Sequence, residues 1–202
     1  MRLFATGWMV LLVAAMPVLQ SHGSSQQRIP HKTFRSADGV SQFTYPGSYA
    51  LYSGGDAEDA GGSYIPVCMT FIACVVYPAN KYAGTNFGAA SVEELEVAGA
   101  ATEAACLTAQ TFGPVVEIVG KVTINGIVFL HTTGTGGALG HYLKTDHYRA
   151  FHENKCYDLS TNVTASEFAN FDPGTIKEFT HEDERHVRKE LTEIVKSFRF
   201  LK

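Results

Sequence analysis

Histidine is the residue type in this chain that could bind a metal or move a proton, and one pair of histidines has a suitable spacing. His131 and His141 lie on two segments that are predicted to pair as antiparallel strands. If the loop after Thr133 has five residues, the two side chains oppose each other at about 5 Å between their Cβ atoms. With four loop residues they point to opposite faces of the sheet. A metal or proton site at this pair is one hypothesis, and two ordinary, partly exposed histidines are the alternative.

Other combinations of residues resemble catalytic motifs but fail on spacing. His181 and His186 are five positions apart on a predicted helix, which separates them by about 140° around the axis. A zincin motif needs histidines four positions apart, on one face. Asp146 and His147 are adjacent, so on a strand they point to opposite faces and form no dyad. The sequence holds no G-x-S-x-G elbow. It therefore favours no catalytic residue and no cofactor.

The four cysteines of the chain are predicted to form two disulfides. An even number of cysteines in an exported chain is typical of disulfide bonding. Of the three possible pairings we expect Cys68–Cys74, which closes a short loop, and Cys106–Cys156, which closes a long one. Pro66 indicates that the strand is interrupted near the first pair, which allows a turn there. Zinc–thiolate binding is the alternative, but no C-x2-C pair occurs.

A series of β-hairpins is predicted in the second half of the chain. Asn125-Gly126 separates two strand-like segments, and this dipeptide favours a tight hairpin because both of its residues adopt positive φ. A second hairpin is expected to turn at Gly134–Gly137, and a third at Glu153-Asn154. On the first strand of this series, one buried face is expected to comprise Val116, Ile118, Val122 and Ile124.

The C-terminal segment has the pattern of an amphipathic helix. Thr180 can cap its start, with Asp183 three positions later. An apolar stripe of helical period follows, and such a stripe needs a surface to cover. We therefore predict the fold class as α+β, with an antiparallel β-sheet meander and a C-terminal amphipathic helix packed on it. The stripe consists of Val187, Leu191, Ile194, Val195 and Phe198.

The first residues have the layout of a secretory signal peptide. Arg2 provides a positive charge, Trp8–Ala14 is an apolar segment, and small residues follow. We predict a signal peptide over residues 1–23, a polar tail over 24–40 and a single α+β domain over 41–202. The apolar segment is too short to span a bilayer comfortably. We therefore expect a secreted or periplasmic protein whose mature chain has no transmembrane span.

Composition excludes two broad classes of protein. Hydrophobic residues make up 45% of the 202 residues and the formal net charge is only −4, which argues against disorder of the whole chain. The sequence contains no basic run, which argues against nucleic acid as a partner.

Several short motifs resemble one known family. Phe43–Pro46 with Tyr49, together with a terminal helix that continues into Ser197–Phe200, is similar to the PsbP-like α/β/α sandwich superfamily. Cys74–Pro78 with Gly84–Gly88 resembles uncharacterised bacterial secreted proteins of this type. The resemblance implies a sheet flanked by helices and a binding or assembly role. It implies no catalytic residue.

Aromatic residues near a Gly/Asn-containing loop give the candidate ligand site. Tyr82, Asn86 and Phe87 lie on this loop, and tyrosines suit interfaces because they bury area and keep a polar tip. The expected function is an exported, non-catalytic binding or envelope-associated module for an unknown protein or small-molecule ligand. One alternative is a metal-dependent hydrolase that uses His131 and His141. The other is a secreted inhibitor with a disulfide-braced loop at Met69–Ala73.

Overall fold

The computed structural model describes residues 30–54, 68, 71–108 and 115–201. The predicted signal peptide and the first part of the polar tail lie outside these ranges. So do Met69 and Thr70 of the apolar loop. None of the helices in the described ranges has the length and apolar character that crossing a membrane requires.

Strands dominate the described residues, and two α-helices accompany them. The strands are β1 (His31–Arg35), β2 (Ser41–Pro46), β3 (Ala50–Ser53), β4 (Ala73–Val76), β5 (Phe87–Glu96), β6 (Val115–Ile124), β7 (Ile127–Ala138), β8 (His141–His152), β9 (Lys155–Ser166) and β10 (Arg199–Phe200). The helices are α1 (Glu103–Thr108) and α2 (His181–Lys196).

These strands form two antiparallel sheets. The small sheet has the order β1-β2-β10, and the large one has the order β3-β4-β5-β9-β8-β7-β6. Strands β6 to β9 are consecutive neighbours and make up the predicted meander. Helix α2 packs against β9, β5 and β2. The predicted fold class, α+β with a C-terminal helix on an antiparallel sheet, is confirmed.

The hairpins at Asn125-Gly126 and Glu153-Asn154 form as predicted, and all four residues adopt positive φ. The predicted turn at Gly134–Gly137 is wrong, because these glycines lie inside β7 and the chain turns at Leu139-Gly140. A Cβ at Gly137 would collide with the carbonyl oxygen of His141 on the neighbouring strand, so glycine permits the close pairing there.

This shift of the turn overturns the proposed histidine pair. His131 pairs with Tyr148, whereas His141 pairs with Ala138. The two histidines are therefore seven residues apart along the ladder, which corresponds to about 23 Å. One mononuclear metal cannot bind both of them.

The predicted buried face of β6 is partly wrong. The register shifts between Ile118 and Gly120, so Val119 is an extra residue opposite β7. Such a bulge breaks the alternation of side chains. Ile118 is consequently 69% exposed, whereas Ile124, beyond the bulge, is buried as predicted. The side chain of Val116 lies outside the described part of the chain.

Helix α2 begins and packs as its sequence indicates. The Thr180 side chain accepts a hydrogen bond from the Asp183 backbone N–H, and the Asp183 carboxylate accepts one from the Thr180 backbone N–H, which completes a capping box. The whole predicted apolar stripe is buried. It packs against a core that includes Phe43, Val92 and Leu159.

Both predicted disulfides are present. The Cα atoms of Cys68 and Cys74 are 5.7 Å apart, and those of Cys106 and Cys156 are 5.3 Å apart. The second bond ties α1 to β9.

Candidate functional site

The face of the large sheet that points away from α2 is polar, although most of it is buried. Along β9, Leu159 and Val163 belong to the core beneath α2, and Asp158, Ser160 and Asn162, which alternate with them, point the other way. Strand pairing places residues of neighbouring strands beside them. This polar face consists of Ser91 and Glu93 on β5, Thr145, His147 and Arg149 on β8, and Asp158, Ser160 and Asn162 on β9.

An imidazole lies between a carboxylate and a hydroxyl on the polar face. His147 Nδ1 is 3.1 Å from Asp158 Oδ2, and His147 Nε2 is 3.2 Å from Thr145 Oγ1. Arg149 Nε donates to the same carboxylate at 3.0 Å. An ionised carboxylate only accepts, so this arrangement suits the tautomer in which Nδ1 donates to Asp158 and Nε2 accepts from the threonine hydroxyl. Thr145 is buried, however, so this hydroxyl does not face a substrate in solution.

Ion pairs join the opposite face of the sheet to α2. His131 Nε2 is 3.1 Å from Asp146 Oδ1, and Arg188 Nη2 donates to Asp146 Oδ2 at 2.5 Å. Burial alone would raise the pKa of Asp146, but the hydrogen bonds and charges of His131 and Arg188 lower it. Lys144 Nζ donates to the Glu184 carboxylate at 2.7 Å. His131, a metal-ligand candidate in the sequence, is therefore held by a carboxylate of the neighbouring strand.

A cleft of about 310 Å³ opens where β8 begins, β9 ends and α2 begins. Tyr142, Phe168 and Phe179 provide aromatic walls, and Glu167 and Glu178 provide carboxylates. Within the described part of the chain, neither of these two carboxylates makes a hydrogen bond or an ion pair. We call this feature the acidic cleft.

The charges around the acidic cleft are unbalanced. Its Lys144 is neutralised by Glu184, and among the described residues that line the cleft no other lysine or arginine compensates Glu167 and Glu178, although His181 also lines it. Burial first, and then the negative charges of these three glutamates, raise the pKa of Tyr142. A cleft with aromatic walls and uncompensated carboxylates suits a positively charged group, because aromatic faces attract cations.

The three ligand-binding residues predicted from the sequence lie together beside the acidic cleft. Asn86 lines it, is buried, donates to the Ser166 carbonyl at 2.6 Å and accepts from the Phe179 backbone N–H at 2.6 Å. It thus ties the segments that surround the cleft to each other. The rings of Tyr82 and Phe87 each lie 4.9 Å from the ring of Phe179. They support the cleft from behind, and their part in binding stays a prediction.

Sequence reasoning missed the two carboxylates and did not connect Tyr142 with them. They come from three separate segments, and only the β8–β9 pairing and the start of α2 bring these segments together. One local signal was available: each carboxylate directly precedes a phenylalanine, in Glu167-Phe168 and in Glu178-Phe179. Glu167-Phe168 directly follows β9 and Glu178-Phe179 directly precedes the cap of α2, in loops, where functional side chains commonly lie.

Comparisons with known proteins show a likeness of fold. No protein-family model matches the chain, and neither does any curated protein. Among solved structures, the chain is similar to a Bacteroides thetaiotaomicron protein, with a TM-score of 0.43, 12% identity and coverage of 85% of this chain and 48% of that one. The chain therefore spans about half the length of that protein.

Two further solved structures cover most of both chains. One is LpqN of Mycobacterium tuberculosis, described as involved in cell envelope biogenesis, with a TM-score of 0.46, 10% identity and coverage of 86% of this chain and 91% of that one. The other is cyanobacterial PsbP of Synechocystis, with a TM-score of 0.41, 10% identity and coverage of 90% and 98%. The PsbP resemblance expected from the sequence is thus found in fold, and such distant matches carry no argument about function.

Proposed function

We propose that this protein is an exported, non-catalytic binding module, secreted or associated with the cell envelope, and that the acidic cleft holds a small organic cation. The observation that carries the proposal is the combination of Glu167 and Glu178 with the aromatic walls of Tyr142 and Phe168. Carboxylates accept charge-assisted hydrogen bonds from ammonium and guanidinium groups, and aromatic faces attract the same groups. A cleft of about 310 Å³ is within the usual size of small-molecule sites.

The exported location has separate support. Two disulfides are present in the described chain, and disulfides persist mainly in oxidising compartments such as the periplasm or the extracellular space. The signal peptide predicted over residues 1–23 would direct the chain there. N-terminal sequencing of the secreted protein tests this part directly, because an intact Met1 would contradict it.

Neither alternative function gains a supporting observation. A hydrolase that uses His131 and His141 needs both side chains at one metal, and the strand register separates them. An inhibitory loop needs its apolar residues at the surface, but Phe71 is buried against the Cys68–Cys74 disulfide. The binding module therefore remains the better proposal.

Calorimetric titration of the mature protein tests the proposal. The probes are putrescine, arginine and choline, with the dianion glutarate as the control ligand, at low ionic strength. We expect saturable binding of at least one cation, no binding of glutarate, and weaker binding as salt is added, because exposed charges are screened. Absence of saturable binding for all three cations would refute the cation proposal.

Variants locate the binding. Glu167→Gln and Glu178→Gln remove one charge each from the acidic cleft, and each is expected to weaken binding by about threefold to tenfold. Glu117→Gln is the matched control, because it removes the same charge from an exposed position on β6 that does not line the cleft. Equal losses in all three variants would indicate that net charge, and not the cleft, attracts the ligand.

A further inference from the structure

A second, chemically different group of residues lies at one side of the polar face. Cys74 on β4 pairs with Glu93 on β5, and the Cys68 backbone N–H donates to Glu93 Oε1 at 3.0 Å. The two sulfurs and one carboxylate oxygen of Glu93 all lie within 4.8 Å of one another. All three residues are buried. The disulfide and the carboxylate therefore form one compact cluster.

Neighbouring side chains hold the carboxylate of Glu93 in a fixed position. Ser91 Oγ donates to Glu93 Oε1 at 2.9 Å, and Asn162 Nδ2 donates to the same oxygen at 2.8 Å. With the Cys68 N–H, three donors converge on Oε1. Oε2 receives none of these bonds. Hydrogen bonds of this kind orient the ligands of metal sites.

We propose that Cys68, Cys74 and Glu93 form a Zn²⁺ site that becomes available when their disulfide is reduced. A dithiol reductant, such as the Cys-X-X-Cys pair of a thiol–disulfide oxidoreductase, transfers two electrons to the disulfide and is itself oxidised to a disulfide. The protein then carries two thiols. Zn²⁺ displaces one proton from each thiol and binds the two thiolates and the carboxylate, and a water molecule completes the tetrahedral coordination.

The Cys106–Cys156 disulfide differs from the Cys68–Cys74 disulfide in its surroundings. Cys106 and Cys156 lie in an apolar cluster with Ala100 and Val97. Among the described residues, the ligand atoms of Cys68, Cys74 and Glu93 lie close enough together to hold one metal ion. No such group of three ligand atoms includes Cys106 or Cys156 among these residues. Reduction of the second disulfide therefore offers two thiols without a carboxylate partner, which makes it a matched internal control.

Titration with Co²⁺, a spectroscopic substitute for Zn²⁺, tests the site. The protein carries Cys106→Ser and Cys156→Ser, so that only the proposed pair remains, and a thiol-free phosphine reduces it. We expect one equivalent of Co²⁺ to bind with thiolate-to-metal charge-transfer absorption, Zn²⁺ to displace it, and two protons to be released per metal. The oxidised protein is expected to show none of these changes.

Two variants separate a metal site from thiols that bind metal nonspecifically. Asn162→Ala keeps all three ligands but loses one donor to Glu93, and it should weaken binding about tenfold. Glu93→Gln removes a ligand and should weaken binding by more. The reverse control, Cys68→Ser with Cys74→Ser, retains only the other cysteine pair and should bind no Co²⁺ in this way.

The proposed Zn²⁺ site is overturned if the reduced protein binds no Co²⁺, if Glu93→Gln binds Co²⁺ as tightly as its parent, or if the reverse control gives the same spectrum. If reduction of the disulfide unfolds the chain, far-ultraviolet circular dichroism detects this unfolding. Zn²⁺ must then restore the fold, because metal binding and folding are coupled, and a chain that stays unfolded with Zn²⁺ also overturns it.

Discussion

Glu94 is the clearest source of pH-dependent stability in the structure. It lies on β5 beneath α2, fully buried, and neither of its carboxylate oxygens has a hydrogen-bond partner among the described residues. The hydroxyls of Ser41 and Tyr157 are also buried without partners. Burial raises the pKa of Glu94 from its ordinary value of 4.5 to about 7. The nearby Ser41 hydroxyl acts against this rise, and the negative charge of Asp38 adds to it.

The sign and size of the effect follow from proton binding. Between the two pKa values the folded state holds a proton that the unfolded state releases. The free energy of unfolding therefore falls as pH rises through this window and levels off above it. Each pKa unit corresponds to about 1.4 kcal/mol, so Glu94 should cost about 2 to 3 kcal/mol of stability between about pH 5 and about pH 8.

Urea unfolding of the wild type and of Glu94→Gln, with the disulfides intact, measures this cost. Glutamine is uncharged at every pH, so the difference in unfolding free energy between the two proteins should change by the predicted amount between the two pH values. Glu96→Gln is the control, because this residue lies on the same strand, half-exposed and paired with Lys155. If the difference for Glu94→Gln stays as flat as that for the control, the carboxyl is not buried as described.

Three further substitutions test the fold through urea unfolding at neutral pH. Leu191→Ala removes a fully buried side chain of α2 and should cost about 2 to 5 kcal/mol, and a loss below 1 kcal/mol would contradict its burial. Thr180→Ala removes one half of the capping box and should cost about 1 kcal/mol, whereas no loss would mean that the cap is absent in solution. Asp158→Ala leaves Arg149 buried without its carboxylate and should cost about 3 to 5 kcal/mol, more than Asp172→Ala at an exposed position.

The elements that a few neighbouring residues determine were predicted correctly from those residues. Asn125-Gly126 and Glu153-Asn154 fix their hairpins through their own backbone preferences, and Thr180 fixes the start of α2 through its own side chain. The cysteine pairs were also predicted correctly. The turn after β7 was misplaced because glycine favours both turns and close strand pairing. Which of the two occurs at Gly137 depends on the facing strand.

The candidate sites depend on pairing between distant segments, and apart from Asn86, which lines the acidic cleft, their residues were not predicted. In the sequence, His147 was considered as a partner of its neighbour Asp146. The strand register instead places His147 beside Asp158, eleven residues away, and Asp146 beside His131. A single residue of register decides which partner each imidazole meets. The carboxylates Glu167 and Glu178 likewise converge only after β9 and α2 have been positioned.

The polar face shows why alternation along a strand does not predict burial. On β9, Asp158, Ser160 and Asn162 share one face, and the opposite face carries Leu159 and Val163, a pattern typical of a strand with one solvent-exposed face. In the structure this face is covered instead. The described residues near it include Phe71 and helix α1. The direction of each side chain was therefore predictable, but its surroundings were not.

Both disulfides connect covering segments to this polar face. Cys74 lies beside Glu93 on the face and binds Cys68, and Cys156 lies on the same face of β9 and binds Cys106 of α1. A polar surface offers a covering segment little hydrophobic stabilisation, because that stabilisation scales with the apolar area removed from water. Covalent bonds supply what the surface lacks, because they reduce the conformational entropy of the unfolded chain by tying each covering segment to a strand residue. The side of the sheet beneath α2 has an apolar core and has neither disulfide, which is the distribution that this reasoning requires.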